Sequence, residues 1–224
     1  MGELPYNNCW REFPGDEARL AEKLAALLEE VSGVARVRAN VNISSTGVTE
    51  DCAALYGEIG FLGSEVDLAI ALRSGEQSFY LVGVEIKYIK PKTKGYRQLY
   101  EGLGQALLYL WLGFDASCLL LFFHPEYVEE RAERISSVAR GILEAGMGGV
   151  QLTSVKAKLI GGEVCLYLIE SYPGRGGGAW TPYHWARDVL SKMEKYELHN
   201  PYGVTSEWKA RRECLKQALR IPVI

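Results

Sequence analysis

The sequence predicts an α/β protein, a central mixed β-sheet flanked by helices. Three observations lead there. Apolar residues recur at helical spacing around 18–31, 97–114 and 126–146. Between them lie runs with strand character, either alternating, as in SEVDLAIAL, or continuously apolar, as in SCLLLFF. The resulting order of helix, strands, helix, strand, helix, strands suits helices layered on a sheet.

Each element has its own signal. In ARLAEKLAALLEEV, Leu20, Leu24, Leu27, Leu28 and Val31 share one helical face, with Asp16 as N-cap and Ser32-Gly33 as the stop. VARVRANVNIS then alternates as a strand. From Ser45 to Gly63 the chain reads as an irregular loop with a short element around Ala53 to Tyr56. SEVDLAIAL and FYLVGVEIKYI, separated by Arg73-Ser74-Gly75-Glu76, read as an antiparallel hairpin. Lys90 to Gly95 forms a basic turn. RQLYEGLGQALLYLWLGF is a helix apolar around much of its circumference, expected to lie between layers. A buried strand, a charged amphipathic helix and the strands VQLTSV and EVCLYLIE follow. Pro173 to Gly178 reads as a hinge or linker, so the expected division is a core over 1–170 and a helical tail over 171–224.

With 224 residues, 48% of them hydrophobic, the chain can bury one sizeable domain and carry an appendage. Its apolar runs are too short to span a membrane, and the N-terminus shows no secretory or transit pattern. A soluble, cytoplasmic protein without membrane partners is expected. The five cysteines are odd in number, scattered and lack a CxxC pair, which predicts buried reduced thiols rather than disulfides or a metal–sulfur site. His124, His184 and His199 are dispersed and make a histidine-based metal site unlike this chain. A net charge of −3 offers nucleic acid no global attraction, so any such contact rests on a local basic surface.

The chemistry-bearing residues lie in the hairpin. Alternation puts Glu85 and Lys87 on one face of an otherwise apolar strand. In the preceding strand Asp67 shares a face with Ala69 and Ala71, small residues that leave room beside it. Sequence leaves the hairpin register open. One parity brings Asp67 and Glu85 within reach of a hard cation, with the Ile86 carbonyl as a further oxygen ligand; a one-residue slip separates them. Two carboxylates and an amine are what metal-assisted phosphodiester hydrolysis needs, the acids to hold the ion and the lysine to orient water and offset charge on phosphorus.

Asp67 followed by Glu85-Ile86-Lys87, with a helix before and after, resembles the PD-(D/E)XK nuclease superfamily. Val66 stands where that motif often has proline. Gln105 and Tyr109, four apart on the following helix, resemble the QxxxY motif of RecB-like and λ-exonuclease-like members. The resemblance covers roughly residues 16–170 as an element order and implies a restriction-endonuclease-like core with Mg²⁺ or Mn²⁺ as cofactor and DNA as partner. It implies Asp67, Glu85 and the Ile86 carbonyl as metal ligands, Lys87 as the water-positioning group, and Gln105 and Tyr109 as supports. Many members add a glutamate from the first helix. Glu17, on the Leu20 face, is the choice here, against the alternative that it only complements the helix dipole.

The expected function is therefore DNA phosphodiester hydrolysis, by a RecB-like exonuclease or nickase or by a structure-specific endonuclease, for which a homodimer is one expected assembly. The rival is a non-catalytic nucleic-acid-binding or assembly subunit that keeps the fold. Lys90, Lys92, Lys94 and Arg97 are the candidate phosphate contacts. The aromatic and basic tail, with Trp180, Trp185, Tyr196, Tyr202 and Trp208, is a second candidate DNA surface, unless its rings pack onto the core.

Overall fold

A computed structural model describes residues 5–43, 52, 55, 65–75, 78–146, 148–174 and 176–220. The short element expected around Ala53 to Tyr56 lies, apart from Leu55, outside them.

The described elements in chain order are β1 (Cys9–Trp10), α1 (Glu17–Glu29), β2 (Val34–Asn42), β3 (Glu65–Arg73), β4 (Phe79–Ile89), α2 (Tyr96–Leu112), β5 (Ala116–Phe123), α3 (Glu129–Glu144), β6 (Val150–Ile160), β7 (Glu163–Tyr172), α4 (Pro182–Glu194) and α5 (Ser206–Ala218). The strands form one seven-stranded sheet in the order β1-β7-β6-β5-β4-β3-β2. The centre, β4-β5-β6, is parallel, and all other pairs are antiparallel. This is the mixed, helix-flanked sheet the pattern predicted. Parallel neighbours need crossover connections, and α2 and α3 supply them.

Burial follows the alternation. Val82, Val84, Ile86 and Tyr88 of β4 face a cluster built with α1 and α4, including Leu20, Leu24, Leu28, Trp185 and Val189. The opposite face is covered by α2 and α3 through Leu99, Leu103, Ala106, Leu110, Ile135 and Leu143. β5 sits in the middle and is buried along its whole length, hence its unbroken apolar run. Asp16 caps α1 as expected, its side chain accepting from the Arg19 N–H at 2.8 Å. Helix α2 is more amphipathic than its composition implied, with Arg97, Glu101 and Gln105 exposed.

The chain after residue 170 is built into this core. The Leu168 N–H donates to the Gly178 carbonyl at 2.9 Å and the Trp180 N–H to the Leu166 carbonyl at 2.9 Å, so Gly176 to Trp180 runs back along β7. Trp180, Trp185 and Trp208 are buried, which favours the packing role for the tail's rings over base stacking. Arg212 pairs with Asp115 at 2.8 Å and donates to the Phe79 carbonyl at 2.6 Å, clamping α5 to the start of β4. Tyr196 and Tyr202 remain exposed.

The expectation of reduced cysteines is overturned. Cys9 and Cys165 stand opposite each other in the β1–β7 ladder and are joined, and Cys52 is joined to Cys214 of α5; Cys118 alone is free and buried. Scattered positions hid the pairs, because the partners are 156 and 162 residues apart and only the fold brings them close. Such bonds persist in oxidising surroundings, or in the cytosol of some hyperthermophiles. Among the described residues no helix is long and apolar enough to cross a membrane.

The bonds close sequence separations of 156 and 162 residues. Long loops lose much denatured-state entropy when closed, and removing one such bond lowers stability by roughly 2–4 kcal/mol. Urea unfolding with and without reductant checks this: the midpoint should fall on reduction, and Cys9→Ser should reproduce part of the fall. A midpoint indifferent to reductant contradicts it.

Candidate active site

The hairpin register settles the parity. Leu68 stands opposite Val84 and Ala69 opposite Gly83, so Asp67 and Glu85 belong to the same sheet face, together with Lys87. The β3–β4 ladder stops at the Leu68–Val84 pair, and β4 runs on beyond it. Even-numbered residues of β4 turn their backbone groups toward β3, since the odd-numbered Leu81 and Ile89 bond to the β5 side. The amides of Ile86 and Tyr88 are therefore left without a partner strand.

Two carboxylates take that place. Asp67 Oδ2 accepts from the Ile86 N–H at 2.6 Å, and Glu17 Oε1, reaching over from the first turn of α1, accepts from the Tyr88 N–H at 2.9 Å. Glu17 thus joins the site rather than serving only the helix end. The Ile86 carbonyl, by the same alternation, faces the gap. Across from Asp67, between the Ala39–Leu68 and Val41–Val66 pairs, Asn40 adopts a left-handed φ of 50°. Asn tolerates this conformation better than most residues, and it falls on β2 beside Asp67.

Glu85 is the deepest member, 1% exposed. Its Oε1 lies 2.5 Å from the Lys87 ammonium, and its Oε2 accepts from the Tyr109 hydroxyl, which also reaches the Glu65 carbonyl at 3.1 Å. Lys87 Nζ is 3.9 Å from Glu17 Oε2, so the lysine bridges two acids. Burial, and secondly repulsion from Asp67, push the Glu85 carboxyl up to about 7. Burial lifts Asp67 to about 6 despite the Ile86 hydrogen bond and the Lys87 charge. The surrounding acids hold Lys87 above its usual range, against the effect of burial.

Two glycines that the sequence reading passed over make the arrangement fit. A Cβ on Gly83 would lie 2.9 Å from the Tyr109 ring, and one on Gly102 would lie 2.7 Å from Leu119 Cδ1 and 3.0 Å from the Lys87 stem. A glycine inside a strand and another inside a helix were the available signals of close approach. Gln105, one turn before Tyr109, is exposed and makes no hydrogen bond among the described residues. Lys90, Lys92 and Lys94 are exposed at the end of β4; Arg97 is paired with Glu101 at 2.7 Å. Beside them Asp16, Glu17, Ala18, Tyr88 and Lys90 line an open cleft of about 380 Å³.

Among the described residues no group of three or more His, Cys, Asp or Glu is gathered tightly enough to hold a metal as placed. The donor set nevertheless suits a hard cation: oxygen ligands only, and two acids whose anionic forms are disfavoured by burial and, for Glu85, by the neighbouring Asp67 charge. A cation at Asp67 and Glu85 would reverse both penalties, and the Ile86 carbonyl is turned the same way.

The raised carboxyls have a consequence for stability. Both bind a proton more readily folded than unfolded, so without metal their contribution falls as pH rises from about 4 through the folded values of about 6 and about 7, then levels off. Urea midpoints in chelator across this window should show Glu85→Gln gaining on wild type as pH rises. A constant difference between the two proteins would contradict the raised values. The chain matches no protein-family model and no curated protein sequence.

Proposed function

We propose that the chain is a divalent-metal-dependent nuclease acting on DNA phosphodiester bonds. The observation that carries this reading is the convergence of Asp67, Glu85, Lys87 and Glu17 on the unpaired end of β4, with Tyr109 fixing Glu85 from α2. Asp67, Glu85 and the Ile86 carbonyl would hold the ion. A bound Mg²⁺ or Mn²⁺ supplies a Lewis-acid centre that lowers the pKa of a water and offsets phosphate charge. Lys87 keeps its ammonium charged and carries donors beyond the one directed at Glu85, with which it orients a water or a phosphate oxygen. Tyr109 stays protonated, since burial raises its phenol well above the usual range, and so acts as a donor that positions Glu85. Lys90, Lys92 and Lys94 would follow the phosphate backbone past the site.

One observation favours the second reading, a non-catalytic nucleic-acid-binding subunit. Both Glu85 oxygens already have protein partners, so a metal must displace Lys87 from Oε1. Cleavage assays separate the two. Purified protein with Mg²⁺ or Mn²⁺ should cut at least one of single-stranded, duplex, flapped or four-way-junction DNA. Asp67→Ala and Glu85→Ala should lose metal affinity and turnover together. Lys87→Ala should keep metal binding while the chemical step slows by orders of magnitude. No cleavage of any form, or Lys87→Ala cutting at the wild-type rate, rejects the nuclease reading.

The basic turn gives an independent expectation. Neutralising Lys90, Lys92 and Lys94 together should reduce the slope of log affinity against log salt by up to about 3 on duplex DNA, at roughly 0.9 per phosphate contact. Arg97→Ala, whose charge is already met by Glu101, should change it little. An unchanged slope in the triple variant takes this turn off the DNA surface.

A further inference from the structure

The sheet face opposite Glu85 and Lys87 carries a second polar site, a cavity of about 190 Å³ between β6, β7 and α4. Its wall includes Thr153, Ser171, Trp180, Trp185, Asp188 and Lys192, with Gly174, Ala179 and the exposed His184 toward solvent. Strand alternation separates it from the candidate active site: Thr153 shares a side with Val155 and Ala157, which pack in the α1–α4 cluster.

The cavity is rich in donors and poor in acceptors. Lys192 is 6% exposed, unusual for a lysine, and its ammonium gives one hydrogen bond to Asp188 Oδ2 at 2.5 Å. Two further protons remain on that nitrogen. Asp188 Oδ2 also accepts from Gln151 Nε2 at 2.9 Å, which commits that oxygen to the wall, while the side chain is 45% exposed. Thr153 Oγ1, Trp180 Nε1 and Trp185 Nε1 are buried and have no hydrogen-bond partner among the described residues. Buried polar groups are nearly always satisfied, and three orphans around one cavity call for a ligand or water that accepts. Ser171 Oγ and Lys192 Nζ converge on Gly174, each 3.5 Å from where its Cβ would stand, at a φ of 132° that favours glycine.

We propose that this cavity binds a small oxyanion, a phosphate or carboxylate group, through the Lys192 ammonium and the hydroxyls of Ser171 and Thr153. The charged oxygens of an oxyanion accept hydrogen bonds, which matches the donors the wall leaves unmet. Its charge completes the Lys192 ammonium, whose attraction for Asp188 uses one of three donors.

The test uses the full chain freed of metal beforehand and dialysed out of chelator, titrated calorimetrically with inorganic phosphate and, separately, acetate, at ionic strength held constant with chloride. Saturable binding is expected, accompanied by a rise in melting temperature. Saturation by phosphate alone assigns a phosphate group, and saturation by acetate as well assigns the wider oxyanion class. Thr153→Val with Ser171→Ala removes two hydroxyls without enlarging a side chain; it should melt near wild type and bind at least about tenfold more weakly. Lys192→Met should abolish binding. Asp67→Asn with Glu85→Gln should bind as wild type, which separates this cavity from the candidate active site. No saturable heat with either anion, meaning a cavity filled by water alone, overturns the proposal. So does wild-type affinity in the hydroxyl variant.

Discussion

The candidate site depends on a break in the sheet. Beyond Leu68 and Val84, β3 and β4 no longer pair, and the backbone groups of Ile86 and Tyr88 would be buried without partners. An unmet buried amide is destabilising on the order of 1–3 kcal/mol. Asp67 and Glu17 meet them with side-chain oxygens instead of a neighbouring strand. The same substitution that repairs the ladder brings carboxylates to the gap, and Glu85 and Lys87 project there because strand alternation gives them no other side. Structure and chemistry are coupled at this point: closing the gap with a normal ladder would remove the acids' reason to converge.

The surrounding packing holds that break open. Tyr109 packs closely against Gly83 and hydrogen-bonds Glu85, while Gly102 lets α2 approach the Lys87 stem. The tail secures the other end of β4 through Arg212 and Asp115, and its Trp180 and Trp185 fill the opposite layer. Two disulfides tie segments from the first quarter of the chain to β7 and α5.

Sequence made the layers legible where periodicity was strong. Strand β5 was readable from an unbroken apolar run, α1 from its stripe and its Asp16 cap, and the β3–β4 hairpin from alternation around a turn. Asp67, Glu85 and Lys87 stood out because charge interrupted an apolar strand, and Glu17 because it shared the Leu20 face. What stayed hidden depended on distant partners. The hairpin register follows from packing on both sheet faces, not from the turn alone. Cys9 with Cys165, and Cys52 with Cys214, are separated by most of the chain, so spacing carried no pairing signal. The apparent linker around Gly176 is a stretch stitched to β7, where Gly176 lies too close to the Ile169 carbonyl for a side chain and Gly177 and Gly178 take positive φ. Gln105 matched a motif by spacing, yet one turn of helix carries it to solvent.

The functional reading rests on one claim, that the gap at the end of β4 is a place for a divalent cation. A cation there would offset the burial that disfavours the charge of both acids. The most direct measurement is anomalous diffraction at the manganese edge from crystals soaked in Mn²⁺. The account predicts a peak within about 2.5 Å of oxygens from both Asp67 and Glu85, with Lys87 moved off Glu85 Oε1. A fully occupied Mn²⁺ elsewhere and none at these two carboxylates would contradict it.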